Sequence, residues 1–114
     1  DVLLSAMLET NADVSECDFE TFKYREPKFK VIKNKKITYY VTENHEESMA
    51  AFLGYCVHWG GVWNKLYKRS IFDSYKDKKE LFPSDIFIAD DVITSFRYFD
   101  KVNKLVFTNK DFYF

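Results

Sequence analysis

The run Ile86-Phe87-Ile88-Ala89-Asp90-Asp91-Val92-Ile93-Thr94-Ser95-Phe96-Arg97-Tyr98-Phe99 limits what this chain can fold into more than any other part of it. Consecutive apolar residues stop at two adjacent carboxylates, after which Val92, Phe96 and Phe99 recur at helical spacing. A helix therefore starts at or just before the acidic pair. Carboxylates in a first helical turn face free N–H groups and a partial positive charge, so they stay ionised and can cap the helix. In the plain reading Asp90 and Asp91 are a helix start; in the richer one they are charged groups available for chemistry.

At 114 residues the chain is one domain's worth, and its 46% hydrophobic content with 12 Phe and 8 Tyr argues for a packed core rather than disorder. A net charge of −1 supplies no field to attract nucleic acid. Cys17 and Cys56 form no C-x-x-C and have no ligand-spaced His, so neither a metal site nor a disulfide framework is expected. No apolar run has transmembrane length and no signal peptide is recognisable, so a cytosolic protein with reduced thiols is expected. The chain opens directly on a helical stripe and ends on apolar residues, as a fragment would.

Residues 1–10 read as a helix with Leu4 and Leu8 at i, i+4, closed by Asn11 in the left-handed position. From 12 to 22 the pattern alternates: Ser15, Cys17, Phe19 and Thr21 on a buried side, Glu16, Asp18 and Glu20 on an acidic, wet one. Residues 27–43 read as a hairpin turning at Asn34, whose lysines discourage edge pairing. Asn44 with Glu47 forms a capping box for a helix burying Met49, Phe52, Leu53 and Cys56, with His45 on its surface. A loop with a short helix in 76–81 precedes the acidic helix; a strand over 104–108 then turns at 109–111.

Between these lies Gly60-Gly61-Val62-Trp63-Asn64-Lys65-Leu66-Tyr67-Lys68-Arg69, preceded by His58 and Trp59. Glycines admit close backbone approach, indoles offer flat faces and cations suit phosphate, which together fit a phosphorylated, ring-bearing ligand. The same spacing equally fits a glycine turn feeding a strand whose Trp63, Leu66 and Tyr67 face the core. His58 reads as structural more readily than as catalytic.

The ordered series Asn11-Ala12-Asp13-Val14-Ser15-Glu16-Cys17-Asp18-Phe19, Val62-Trp63-Asn64-Lys65-Leu66-Tyr67-Lys68-Arg69, Asp90-Asp91-Val92-Ile93-Thr94-Ser95-Phe96-Arg97-Tyr98-Phe99 and Leu105-Val106-Phe107-Thr108 resembles bacterial family 2 glycosyltransferases of capsular, lipopolysaccharide and teichoic-acid biosynthesis. The resemblance implies an α/β fold (α+β as an isolated piece), namely the C-terminal, acceptor-side half of a GT-A domain. A small mixed sheet, a basic hairpin and about three helices are expected in a single truncated domain over 1–114. It further implies Asp91 as general base with Asp90 beside it, and Trp63, Lys65, Trp59 and Arg97 as substrate contacts, Arg97 being equally compatible with a structural role. The family's acidic pair is usually Glu-Asp, so Asp90 is a mild departure.

The implied reaction is inverting sugar transfer from a nucleotide-sugar donor to a glycan or lipid-linked acceptor, in the cytoplasm at the inner face of the membrane. The family's Asp-x-Asp, which holds a divalent Mn or Mg ion in the parent enzyme, does not occur in these residues. No cofactor is therefore expected in this chain, and it is expected to be inactive alone. A strand edge and an apolar face left uncovered near Val14–Phe19 and the initial helix are expected to drive self-association. The competing expectation is a non-catalytic binding or assembly module on the same scaffold.

Overall fold

The computed structural model describes residues 2–19, 36–55, 61–85 and 88–113. In chain order the elements are α1 (Val2–Thr10), β1 (Val14–Phe19), β2 (Tyr39–Val41), α2 (His45–Ala50) running into a π-helical turn (Ala51–Tyr55), β3 (Lys65–Tyr67), α3 (Arg69–Asp73), α4 (Lys78–Leu81), α5 (Asp90–Phe99) and β4 (Leu105–Tyr113). The expected mixed sheet is present, in the order β2-β4-β1-β3. Five α-helices rather than about three accompany it among the described residues. Residues 27–35 of the expected basic hairpin, its first strand and turn, lie outside them, as does Cys56.

α1 ends as its sequence requires. Asn11 takes φ 52°, a left-handed conformation that Asn tolerates better than other side-chain-bearing residues, and Ala12 N–H donates back to the Met7 carbonyl at 3.0 Å. β1 then runs parallel to β4 from Val14↔Leu105 and antiparallel to β3 from Val14↔Tyr67 to Glu16↔Lys65. It is thus an interior strand, and the uncovered edge expected at Val14–Phe19 is not there: β2 and β3 are the outer strands.

That placement overturns the wet acidic face as well. Residues on one side of the sheet (Val14, Leu105) join the main core with Phe52, Ile71, Tyr98 and Phe99, while Val106 on the other side packs with Ala6 and Ala12 beneath α1. Glu16 shares the side of Val14, so a strand read as half solvated is covered on both faces and Glu16 is 0% exposed.

Two other stripes shift from their expected positions. In α2, Asn44 Oδ1 accepts from Glu47 N–H at 2.9 Å as expected, while the Glu47 carboxylate reaches back one residue further, accepting from Glu43 N–H at 2.9 Å. The π turn that follows widens the helix, buries Ala51 and Phe52 and leaves Leu53 exposed. In α5 the buried residues are Thr94, Ser95, Tyr98 and Phe99, while Val92 and Phe96 are exposed; the Phe96 ring meets the core at Phe52. β4 also continues through the expected turn at 109–111 as far as Tyr113.

Asp13 locks the three strand ends together. Its Oδ2 accepts from the Asn103 and Lys104 N–H groups at 3.0 and 3.3 Å, its Oδ1 meets Lys68 Nζ at 3.1 Å, and its carbonyl accepts from Lys68 N–H at 2.9 Å. Charge-assisted bonds to backbone donors outweigh the half-exposed ion pair here. Replacing Asp13 by Ala should cost about 2–3 kcal/mol, read as a lower urea midpoint at unchanged slope; a loss below about 0.5 kcal/mol would remove Asp13 from this role.

Candidate functional site

The Trp-Asn-Lys-Leu-Tyr segment enters the fold through strand alternation. Lys65 and Tyr67 flank Leu66 on β3, so they point to the same side of the sheet, and the β1–β3 register sets Lys65 directly opposite Glu16. Both side chains are fully enclosed, with Lys65 Nζ 3.5 Å from Glu16 Oε1. The ammonium also donates to the Gly61 carbonyl and to Asn64 Oδ1, each at 2.8 Å. Asn64 Nδ2 in turn donates to Glu16 Oε1 at 3.0 Å and to the Cys17 carbonyl at 2.8 Å.

An ammonium has three protons, and three acceptors surround this one. Lys65, expected as a substrate contact, is therefore turned inward and occupied in the described structure. Burial lowers its pKa from the usual 10.5, and the charge of Glu16 opposes that shift.

Trp63 is placed differently. Its ring is 38% exposed and meets the Phe19 ring edge-on at 4.8 Å. The indole lies over the α-carbon of buried Gly61, where an added Cβ would stand 2.5 Å from Nε1. Only glycine allows that approach. Trp63 is thus a partly exposed aromatic side chain supported from within by Gly61. Trp59 and His58 lie outside the described residues.

The acidic pair opens α5 as expected, but neither carboxylate caps it in the ordinary way. The preceding residue, Ala89, has φ 59° and ψ 30° and makes no side-chain capping bond. A left-handed alanine costs about 1–2 kcal/mol and fixes the angle at which the chain enters the helix. Asp91 Oδ1 accepts from Val92 N–H at 2.8 Å; Asp91 is half-buried and Asp90 exposed. Among the described residues neither enters an ion pair.

Asp91, Thr94 and Ser95 stand at i, i+3 and i+4, on one face of α5. Thr94 and Ser95 line a cleft of about 110 Å³ whose other walls include Val62, Tyr67, Phe72 and Phe82. The middle of α5 and the two ends of the 62–67 segment therefore border the same depression, with Asp91 one turn before Thr94 and Ser95. Arg97 points elsewhere: its guanidinium donates to the carbonyls of Glu80 at 2.6 Å and Lys79 at 3.5 Å, closing the end of α4. Of its two expected roles, the structural one accounts for these contacts.

Glu16 and Asn64 complete the site's interior, and Glu16 escaped the sequence reading because alternation alone assigns it to solvent. The Glu16↔Lys65 register is the signal that would have found it. Among the described residues no three His, Cys, Asp or Glu side chains gather where a metal ion could be held. No helix among them is long and apolar enough to cross a membrane. Comparison with models of protein families and with curated proteins gives no match.

Burial pushes the hydroxyls of Tyr67 and Tyr98 well above their usual pKa of 10.0, helped by the charge of Glu16 on the first and of Asp13 on the second. An unfolded chain loses these protons near pH 10 while the folded chain keeps them, so stability falls as pH rises beyond that point. Lys65 acts with the opposite sign, but only below 10.5. Chemical denaturation should therefore show a falling midpoint between about pH 10.5 and 12, with a shallower fall in Tyr67→Phe; a flat profile there would contradict the burial of both hydroxyls.

Proposed function

We propose that the chain is the acceptor-side part of a family 2 glycosyltransferase catalytic domain and that Asp91 is its general base. The observation that carries this reading is convergence: Val62 and Tyr67 from one segment and Thr94 and Ser95 from another, far apart in sequence, line one cleft, and the half-buried Asp91 precedes Thr94 and Ser95 by one turn on the same helix face. The ordered resemblance of the sequence adds to it.

In the proposed reaction the Asp91 carboxylate takes the proton of an acceptor hydroxyl while that oxygen attacks the anomeric carbon of the donor sugar. The nucleoside diphosphate leaves from the opposite face, which inverts the configuration. Asp90, exposed beside Asp91, adds negative charge. Trp63 offers a face for a sugar ring, and Lys65 serves the site through its support of the 61–64 turn rather than by touching substrate. The described residues do not suit a divalent cation, so no step is routed through one. The nucleotide-sugar, the glycan or lipid-linked acceptor and a position at the cytoplasmic face of a membrane belong to the same proposal.

A non-catalytic assembly module draws its support from α1, where Leu4 and Leu8 are exposed one turn apart. The two readings separate on Asp91. In the full-length protein Asp91→Asn should lower sugar transfer about a hundredfold or more with donor binding unchanged, and Asp90→Asn should cost far less. Undiminished transfer by the Asp91→Asn variant would end the base assignment, and absence of transfer in the unaltered full-length protein would favour the module.

A further inference from the structure

We propose that Glu16 is a positioning residue for Trp63, acting through a buried relay that runs from the central strand to the surface. The relay has named links. Glu16 Oε1 accepts from Asn64 Nδ2 at 3.0 Å and stands 3.5 Å from Lys65 Nζ; that ammonium holds the Gly61 carbonyl at 2.8 Å and Asn64 Oδ1 at 2.8 Å. Gly61 in turn lies directly beneath the indole of Trp63. The turn that carries the exposed ring is thus tied at both ends to one enclosed carboxylate.

The chemistry explains why the relay is specific. An enclosed ammonium without a carboxylate keeps its charge only at a large desolvation cost, so removing Glu16 drives Lys65 to lose its proton or to move toward water. Either response alters the hydrogen bond to Gly61, and with it the backbone on which the indole rests. The edge-on contact with Phe19 at 4.8 Å is a weak attraction that depends on where the turn sets the ring, so it reports the ring's position. Trp63 is the ligand contact of the proposed glycosyltransferase, so the functional weight of the relay rests on that reading. Its existence does not, because it is read without any ligand.

The test follows the Trp63 indole N–H resonance and its ring-to-ring cross-relaxation with Phe19 by NMR in the 114-residue protein, assigned with Trp63→Phe. Gly61→Ala, whose added Cβ collides with the indole, marks the signature of a displaced ring. Glu16→Gln should move the indole resonance toward the position seen with Gly61→Ala and abolish the contact with Phe19, while backbone resonances of α1 and α5 stay in place. Should that variant not fold, Glu16→Gln combined with Lys65→Met removes both charges and leaves no ammonium to hold Gly61; it should show the same displaced ring. An unmoved indole in the folded double variant would overturn the proposal. So would perturbation of α5 as large as that of the 61–64 turn, because it would make Glu16 a general core residue. Failure of sugar transfer in the full-length enzyme would leave this result standing, so the two proposals fail separately.

Discussion

The register between β1 and β3 sets a glutamate opposite a lysine inside the protein, and much of the described structure follows from that pair. Two charges taken out of water are stable only if each finds the other and their remaining bonding capacity is met. Asn64 and the Gly61 carbonyl meet it for Lys65. The consequence is a short strand, Lys65–Tyr67, fixed in one register against the middle of the sheet, because a slip of one residue would send Lys65 outward and Leu66 into the place of the charge. The 61–64 turn, and whatever Trp63 touches, inherits that fixed position.

The second anchor is Asp13, at the other end of the same strand. Its carboxylate gathers the N–H groups that precede β4 and the ammonium that follows β3, and the Tyr98 hydroxyl of α5 donates to the Lys68 carbonyl at 2.8 Å nearby. Between them, Glu16 and Asp13 tie β3, β4 and α5 to one central strand. That is why Thr94, Ser95 and Tyr98 of α5 line the same cleft as Tyr67 of β3, although two short helices separate them in the chain.

Local chemistry made several elements legible in the sequence. The left-handed Asn11 ending α1, Asn44 and Glu47 opening α2 and Asp91 at the start of α5 each act on backbone within a few residues, so no tertiary information is needed to find them. What could not be read depends on neighbours. Glu16 looked solvated because strand alternation shows two faces but not how many are covered. Leu53 looked buried because the π turn that rotates it outward leaves no mark in the apolar spacing. Val92 and Phe96 looked like the core stripe of α5, whereas the small hydroxyl residues Thr94 and Ser95 face inward beside bulky Tyr98 and Phe99. Of the residues singled out in the sequence, Asp91 and Trp63 are partly exposed; Lys65 and Arg97 have inward or helix-closing contacts that composition could not distinguish from substrate contacts.

The central physical claim is that Glu16 and Lys65 depend on each other. A double-mutant cycle on folding stability, built from Glu16→Gln, Lys65→Met and the combination, addresses it most directly. Each single change should cost about 3–5 kcal/mol by stranding a buried polar partner. The combination should cost much less than their sum, giving a coupling of about 2 kcal/mol or more. Additive losses, with a coupling below about 0.5 kcal/mol, would contradict the account.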